Sequence, residues 1–162
     1  MSGRIHQLSI SPGGVPKLPI DESTVSSLGL AGDDHNDKRH HGGLAGAVCL
    51  FSLEVIEALK EEGHQIFPGA TGENITVSGI EWSEVVPGSR WRLGEEVEIE
   101  VTSYTTPCQN QVNWFIEGDF TRINHKKNPG WSRVYARVLT EGRIRTGDAV
   151  IAIRQYASAS DF

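Results

Sequence analysis

Cysteine is nearly absent: Cys49 and Cys108 are the only two, and no C-x-x-C spacing occurs. That excludes a cysteine-rich zinc module, a disulfide scaffold and a cysteine-held iron–sulfur centre. Long apolar runs are missing too. No stretch approaches the roughly 20 residues of a membrane span, and Met1 to His6 holds no apolar leader segment, so a cytoplasmic, non-membrane protein is expected. Positive charge is in deficit, with 15 Lys and Arg against 21 Asp and Glu, net −6. An acidic chain repels phosphate backbones, which argues against a general nucleic-acid binder. The loops G-x-x-x-x-G-K-[ST] and G-x-G-x-x-G and the zinc motif H-E-x-x-H are all absent.

What is present is glycine, 18 in 162 residues, a sign of many tight turns between short strands. The length suits one domain over residues 1–154, with 155–162 as a tail. Val97, Ile99 and Val101 alternate with Glu96, Glu98 and Glu100, the period of a strand with one wet face. Arg4 to Ser9, Asn74 to Val77, Val134 to Leu139 and Ala149 to Ile153 also read as strands, and Ala47 to Phe51 as a buried one. Ser52 caps a helix over Leu53 to Glu62 that stops at Gly63, with Leu53, Ile56 and Leu59 on one face. Residues 109–128 suggest one or two short helices through Val112, Phe115 and Ile116, and Ile20 to Leu30 has no clear pattern. The expected fold is mainly β, a barrel-like single domain with one clear helix and short helical segments.

Five segments carry possible chemistry. In Thr105-Thr106-Pro107-Cys108 the proline ends a strand and leaves Cys108 among polar neighbours, whereas Cys49 in an apolar run reads as a small core residue. A thiolate is a nucleophile and a soft metal donor, but local sequence equally allows a thiol with no role. His35, Asp37, His40 and His41 lie beside Asp33 and Asp34 in a polar loop; their spacing fits no standard metal motif, and turn-forming hydrogen bonds are the simpler explanation. Gly13-Gly14-Val15-Pro16-Lys17 and Thr71-Gly72-Glu73-Asn74 could bind an anion or supply a base, or could be ordinary turns. Arg133 and Arg137, close to Gly130-Trp131, would be natural phosphate ligands beside such a pocket.

Gly13 to Lys17, Gly29-Leu30-Ala31-Gly32-Asp33, His41-Gly42-Gly43, Thr71 to Val77, Pro107-Cys108, Tyr135-Ala136-Arg137-Val138 and Gly147-Asp148 follow one another in this order. Together, over residues 5–153, they resemble the MOSC domain, the module named for the C-terminal region of molybdenum cofactor sulfurases. The resemblance implies a barrel-like fold that binds the molybdenum cofactor, a molybdopterin with a phosphate tail. It implies either an oxidoreductase acting on N-hydroxylated or N-oxygenated compounds, with Cys108 as molybdenum ligand, or a sulfur carrier with a persulfide on Cys108. Lys17, Asp33, His41, Asn74, Thr106 and Arg137 are the matching candidates for cofactor binding, with His35 beyond them. No desulfurase segment or pyridoxal-binding lysine motif is visible. The implied partners are therefore a separate electron-donor protein or a pyridoxal-phosphate-dependent cysteine desulfurase, plus a small-molecule substrate. A small metal hydrolase built on His35, His40, His41 and an acidic residue, and a non-catalytic cofactor-binding module, are the competing expectations.

Overall fold

Alternation builds the wall of the molecule. The computed structural model describes residues 3–33 and 44–154 and contains eleven strands. They are β1 (Gly3–Ile10), β2 (Leu18–Ile20), β3 (Glu22–Ser26), β4 (Gly29–Leu30), β5 (Val48–Ser52), β6 (Ile75–Ser78), β7 (Arg90–Leu93), β8 (Val97–Tyr104), β9 (Val134–Thr140), β10 (Gly142–Arg145) and β11 (Ala149–Ile153). Along β8 the predicted alternation holds: Val97, Ile99 and Val101 are buried and the residues between them are not. Trp91 and Leu93 of β7 and Val134 and Ala136 of β9 point into the same core.

The pairing order β11–β7–β8–β9–β5–β6–β1 closes on itself, because Gly3 and Arg4 of β1 pair with Val150 and Ala149 of β11. The mainly β, barrel-like architecture is thus a seven-stranded closed sheet, with β2 added along β1. Closure removes most free edges, which a small sheet would otherwise expose to pairing with other chains. A second sheet, β10–β3–β4, contributes Val25, Leu30 and Ile144 to the barrel core.

Among the described strands the one parallel pair, β5 with β6, needs a crossover, and α1 (Leu53–Glu61) provides it. The predicted cap is present: Ser52 Oγ accepts the Val55 N–H at 3.2 Å, Glu54 lies in the first turn and Lys60 in the last. Ile56 and Leu59 are buried; Leu53 is only half-buried. The helix explains why β5 is a continuous apolar run. Val48 and Leu50 face the barrel core, while Phe51 packs with Ile56, Leu59, Phe115 and Ile123 in a second core.

Residues 109–128 hold three 3-10 turns, Gln109–Trp114, Ile116–Gly118 and Phe120–Ile123. The expected shared face does not form there: Phe115 is buried, but Val112 and Ile116 are exposed. With three residues per turn and a break at Glu117 (φ 55°), spacings of three and four no longer align. Strands β7 and β10 had no counterpart in the sequence reading, since each has at most two apolar residues.

Candidate functional site

The site is organised around residues 69–74, the link that enters β6. Gly69 has φ +88°, and a Cβ there would lie 2.4 Å from the Lys17 carbonyl oxygen, so only glycine fits. That approach lets the Lys17 N–H donate to the Gly69 carbonyl at 2.8 Å. Glu73 is fully buried and braces the link. It accepts from the Gly69 N–H at 3.0 Å, the Thr71 hydroxyl at 3.0 Å and the Thr76 hydroxyl at 3.3 Å. Burial pushes its carboxyl above the ordinary range, only partly offset by these donors. With its oxygens engaged inside the loop, Glu73 acts as a structural brace, the simpler of the two readings for that motif.

Three candidates meet beside it. Asp33 accepts from Lys17 Nζ at 2.8 Å, from Asn74 Nδ2 at 2.8 Å and from the Ser11 N–H at 2.9 Å. Asn74 also donates to the Ser9 carbonyl at 3.3 Å, and its Oδ1 accepts the Cys49 N–H at 3.0 Å. Lys17 is only 5% exposed, so a buried cation and a buried carboxylate are held in one hydrogen-bonded knot.

On the other flank stands Arg133, 3% exposed. Its Nη1 donates to the Thr71 carbonyl at 2.7 Å, while its buried Nε has no partner among the described residues. The Arg133 carbonyl accepts the Thr105 N–H at 3.0 Å, and Ser132 Oγ donates to the Thr105 carbonyl at 3.2 Å. These bonds fix the end of β8 from which Thr106, Pro107 and Cys108 emerge. Thr106 is exposed and Cys108 is half-buried, as expected for a thiol leaving a strand. The Cys108 N–H donates to Gln111 Oε1 at 2.7 Å, and Gln111 Nε2 donates to the same Thr71 carbonyl at 3.1 Å.

Cys49 is buried as expected, its thiol raised mainly by desolvation, with its Sγ 3.8 Å from Thr105 Oγ1. It is not remote from the site, since Asn74 binds its backbone on both sides: the Asn74 N–H donates to the Cys49 carbonyl at 2.8 Å. Tyr135, opposite Cys49 in the β5–β9 register, has its phenol pushed up by burial and then by the charges that Cys49 and Cys108 would carry.

The structure therefore brings Lys17, Asp33, Asn74 and Cys108 to one segment. Arg137 lies elsewhere, half exposed on the outer side of β9, with its Nε 3.4 Å from Glu100 Oε1; Arg90 holds the other Glu100 oxygen at 3.0 Å. His35 and His41 lie outside the described residues. Arg133, Gln111 and Thr71 do the linking. Of these the sequence offered Arg133, as a phosphate ligand near Gly130-Trp131, and Thr71, within Thr71-Gly72-Glu73-Asn74; it did not offer Gln111.

The model of the MOSC domain family matches residues 37–151. This chain belongs to the MOSC domain family. It is 32% identical over 136 residues to the uncharacterized protein YflK of Bacillus subtilis, covering 83% of this chain and 60% of that one. It is 31% identical over 126 residues to the protein YiiM of Escherichia coli, covering 74% and 56%. A protein of Gibberella moniliformis named "Reductase" is 27% identical over 132 residues, covering 77% of this chain and 22% of its own length. The chain thus spans less than two thirds of the length of each of these relatives. The crystal structure of YiiM from Geobacillus stearothermophilus superposes with a TM-score of 0.75 at 22% identity, covering 94% of this chain and 75% of that one. The YuaD protein of Bacillus subtilis superposes at 0.71 and 18% identity, covering 96% and 98%.

Proposed function

We propose that this MOSC domain binds the molybdenum cofactor and acts as an oxidoreductase on N-hydroxylated or N-oxygenated compounds, with Cys108 as the molybdenum ligand. The observation that carries this reading is the buried guanidinium of Arg133. Lys17 has a carboxylate partner, but Glu73, the buried carboxyl near Arg133, is held towards its neutral form and is engaged by Gly69, Thr71 and Thr76. A buried cation with an unpartnered N–H is strongly unfavourable unless an anion joins it. A phosphate-bearing cofactor supplies such an anion, and the half-buried thiol three residues from Thr105 supplies a soft donor.

Among the described residues no three His, Cys, Asp or Glu side chains are grouped to hold a free ion. A metal at Cys108 therefore fits best if it brings its other ligands with it. In this reading Cys108 gives the thiolate, Arg133 neutralises the anionic group, and Asn74 with Lys17 and Asp33 shapes the pocket wall. Thr106 and His41 are further contacts in the proposal. The bound cofactor would supply the two-electron chemistry; the chain itself orients it and keeps water from its buried side. Electrons would come from a separate donor protein. The relative named a reductase supports the reaction class.

The same half-buried thiol supports a second reading, a sulfur carrier loaded by a pyridoxal-phosphate-dependent desulfurase. The histidines of the metal-hydrolase alternative, His35, His40 and His41, lie outside the described residues. One experiment separates the two thiol readings. The wild type and Cys108→Ser are produced in cells that make the cofactor, and bound molybdenum and pterin are measured. Retention by the wild type and loss of most of the molybdenum by the variant is expected. Equal retention removes Cys108 as ligand. A wild type without molybdenum that gains one sulfur atom at Cys108, by intact mass after incubation with desulfurase and cysteine, selects the carrier.

A further inference from the structure

Cys108 is the N-cap of the 3-10 turn Gln109–Trp114, and both faces of its backbone are tied. Its N–H donates to Gln111 Oε1 at 2.7 Å, and its carbonyl accepts the Gln111 N–H at 3.0 Å. Gln111 is itself 3% exposed, which is unusual for an uncharged polar residue in a 3-10 turn and requires that its amide be satisfied. It is satisfied on one side by Cys108 and on the other by the Thr71 carbonyl at 3.1 Å, the oxygen that also accepts from Arg133 at 2.7 Å. One buried carboxamide therefore joins the backbone of Cys108 to the carbonyl that also holds the guanidinium.

We propose that Gln111 is the positioning residue of Cys108, setting where the thiol stands relative to Arg133. This rests on the reading of Cys108 as the functional thiol. A glutamine is suited to the task because it both accepts and donates, and no other uncharged side chain of that length does so. Losing one of these buried bonds lowers local order by about ten-fold in equilibrium terms. The effect falls on the thiol segment, because the two ends of the Gln111 amide bond the Cys108 N–H and the Thr71 carbonyl.

The test uses Gln111→Met, which preserves length and volume but makes neither bond, and Gln111→Glu, which keeps the acceptor for the Cys108 N–H. In cofactor-free protein, hydrogen exchange of the Cys108 amide and the rate of Cys108 alkylation by iodoacetamide are followed across pH. Cys49 is buried and serves as the internal control. Gln111→Met is expected to melt near the wild type, to exchange the Cys108 amide about ten-fold faster, and to raise the plateau alkylation rate several-fold. Gln111→Glu is expected to restore amide protection. Molybdenum retention should fall in Gln111→Met. The proposal is overturned if Gln111→Met exchanges and alkylates like the wild type, or if Gln111→Glu gives no rescue. A wild type that binds no molybdenum, with the thiol effects intact, would instead contradict the cofactor reading and leave the positioning role standing.

Discussion

Lys17 Nζ lies 2.8 Å from Asp33 Oδ2, with the two side chains 5% and 4% exposed, and Asn74 donates to the same carboxylate oxygen. Desolvation makes such a pair a weak source of net stability, but breaking it leaves a buried charge. Asp33→Asn is therefore expected to destabilise by about 3–5 kcal/mol. Lys17→Met combined with Asp33→Asn should cost clearly less than the sum of the single changes. Urea unfolding of all four proteins checks the cycle; strict additivity would show that the pair is not coupled.

The two arginines of the original candidate pair have opposite expectations. Arg137→Ala removes a solvent-exposed partner of Glu100 and should change stability by less than about 1 kcal/mol, with molybdenum retention unchanged. Arg133→Lys keeps the charge but loses the planar fork, and retention should drop sharply. Metal analysis and chemical unfolding of both variants distinguish them. Retention lost only in Arg137→Ala would invert the assignment.

Glu73 gives a pH signature. Its folded-state carboxyl is raised above the unfolded value by burial, so the folded state holds its proton to higher pH. Its contribution to stability is complete below the unfolded range near 4.5 and is lost as pH rises through the folded value. Glu73→Gln removes the titration while keeping the size. The wild type should therefore gain stability relative to Glu73→Gln on going from about pH 8 to about pH 5. Urea midpoints at both values test this; a wild type that instead loses ground at the lower pH contradicts a raised carboxyl.

Ser52→Ala should lower stability by about 1 kcal/mol through loss of the cap on Val55 N–H, read as a lower melting temperature. Among the described residues this hydroxyl bonds the Val55 N–H and Glu54 of α1 and no site residue, so thiol alkylation should not change.

What the sequence revealed depended on periodicity. β8 and α1 each repeat an apolar position several times, and both were legible in kind and nearly in extent. The run from Ala47 to Phe51 was legible as buried, though the reason, a core on each side, needed the structure. Strands β7 and β10 are four residues long and alternate with arginine or glycine, too short a record for any period. The ordered glycine, asparagine and cysteine segments marked the family and brought Lys17, Asp33, Asn74 and Cys108 into view together.

The arginines show where that approach ends. Arg133 and Arg137 share the same parity, so alternation along β9 would place both on the outer side. Arg133 differs because it precedes the strand, where its carbonyl is held by Thr105 and its guanidinium reaches Thr71. Gln111 offered no signal at all, since a buried amide in a turn is defined by partners 40 residues away.

The most direct measurement of the central claim is molybdenum X-ray absorption on the protein purified from cofactor-producing cells, wild type beside the residual metal-bearing fraction of Cys108→Ser. The wild type is predicted to show one sulfur neighbour of molybdenum that the variant lacks, replaced by an oxygen. Identical sulfur shells in the two proteins would contradict ligation by Cys108.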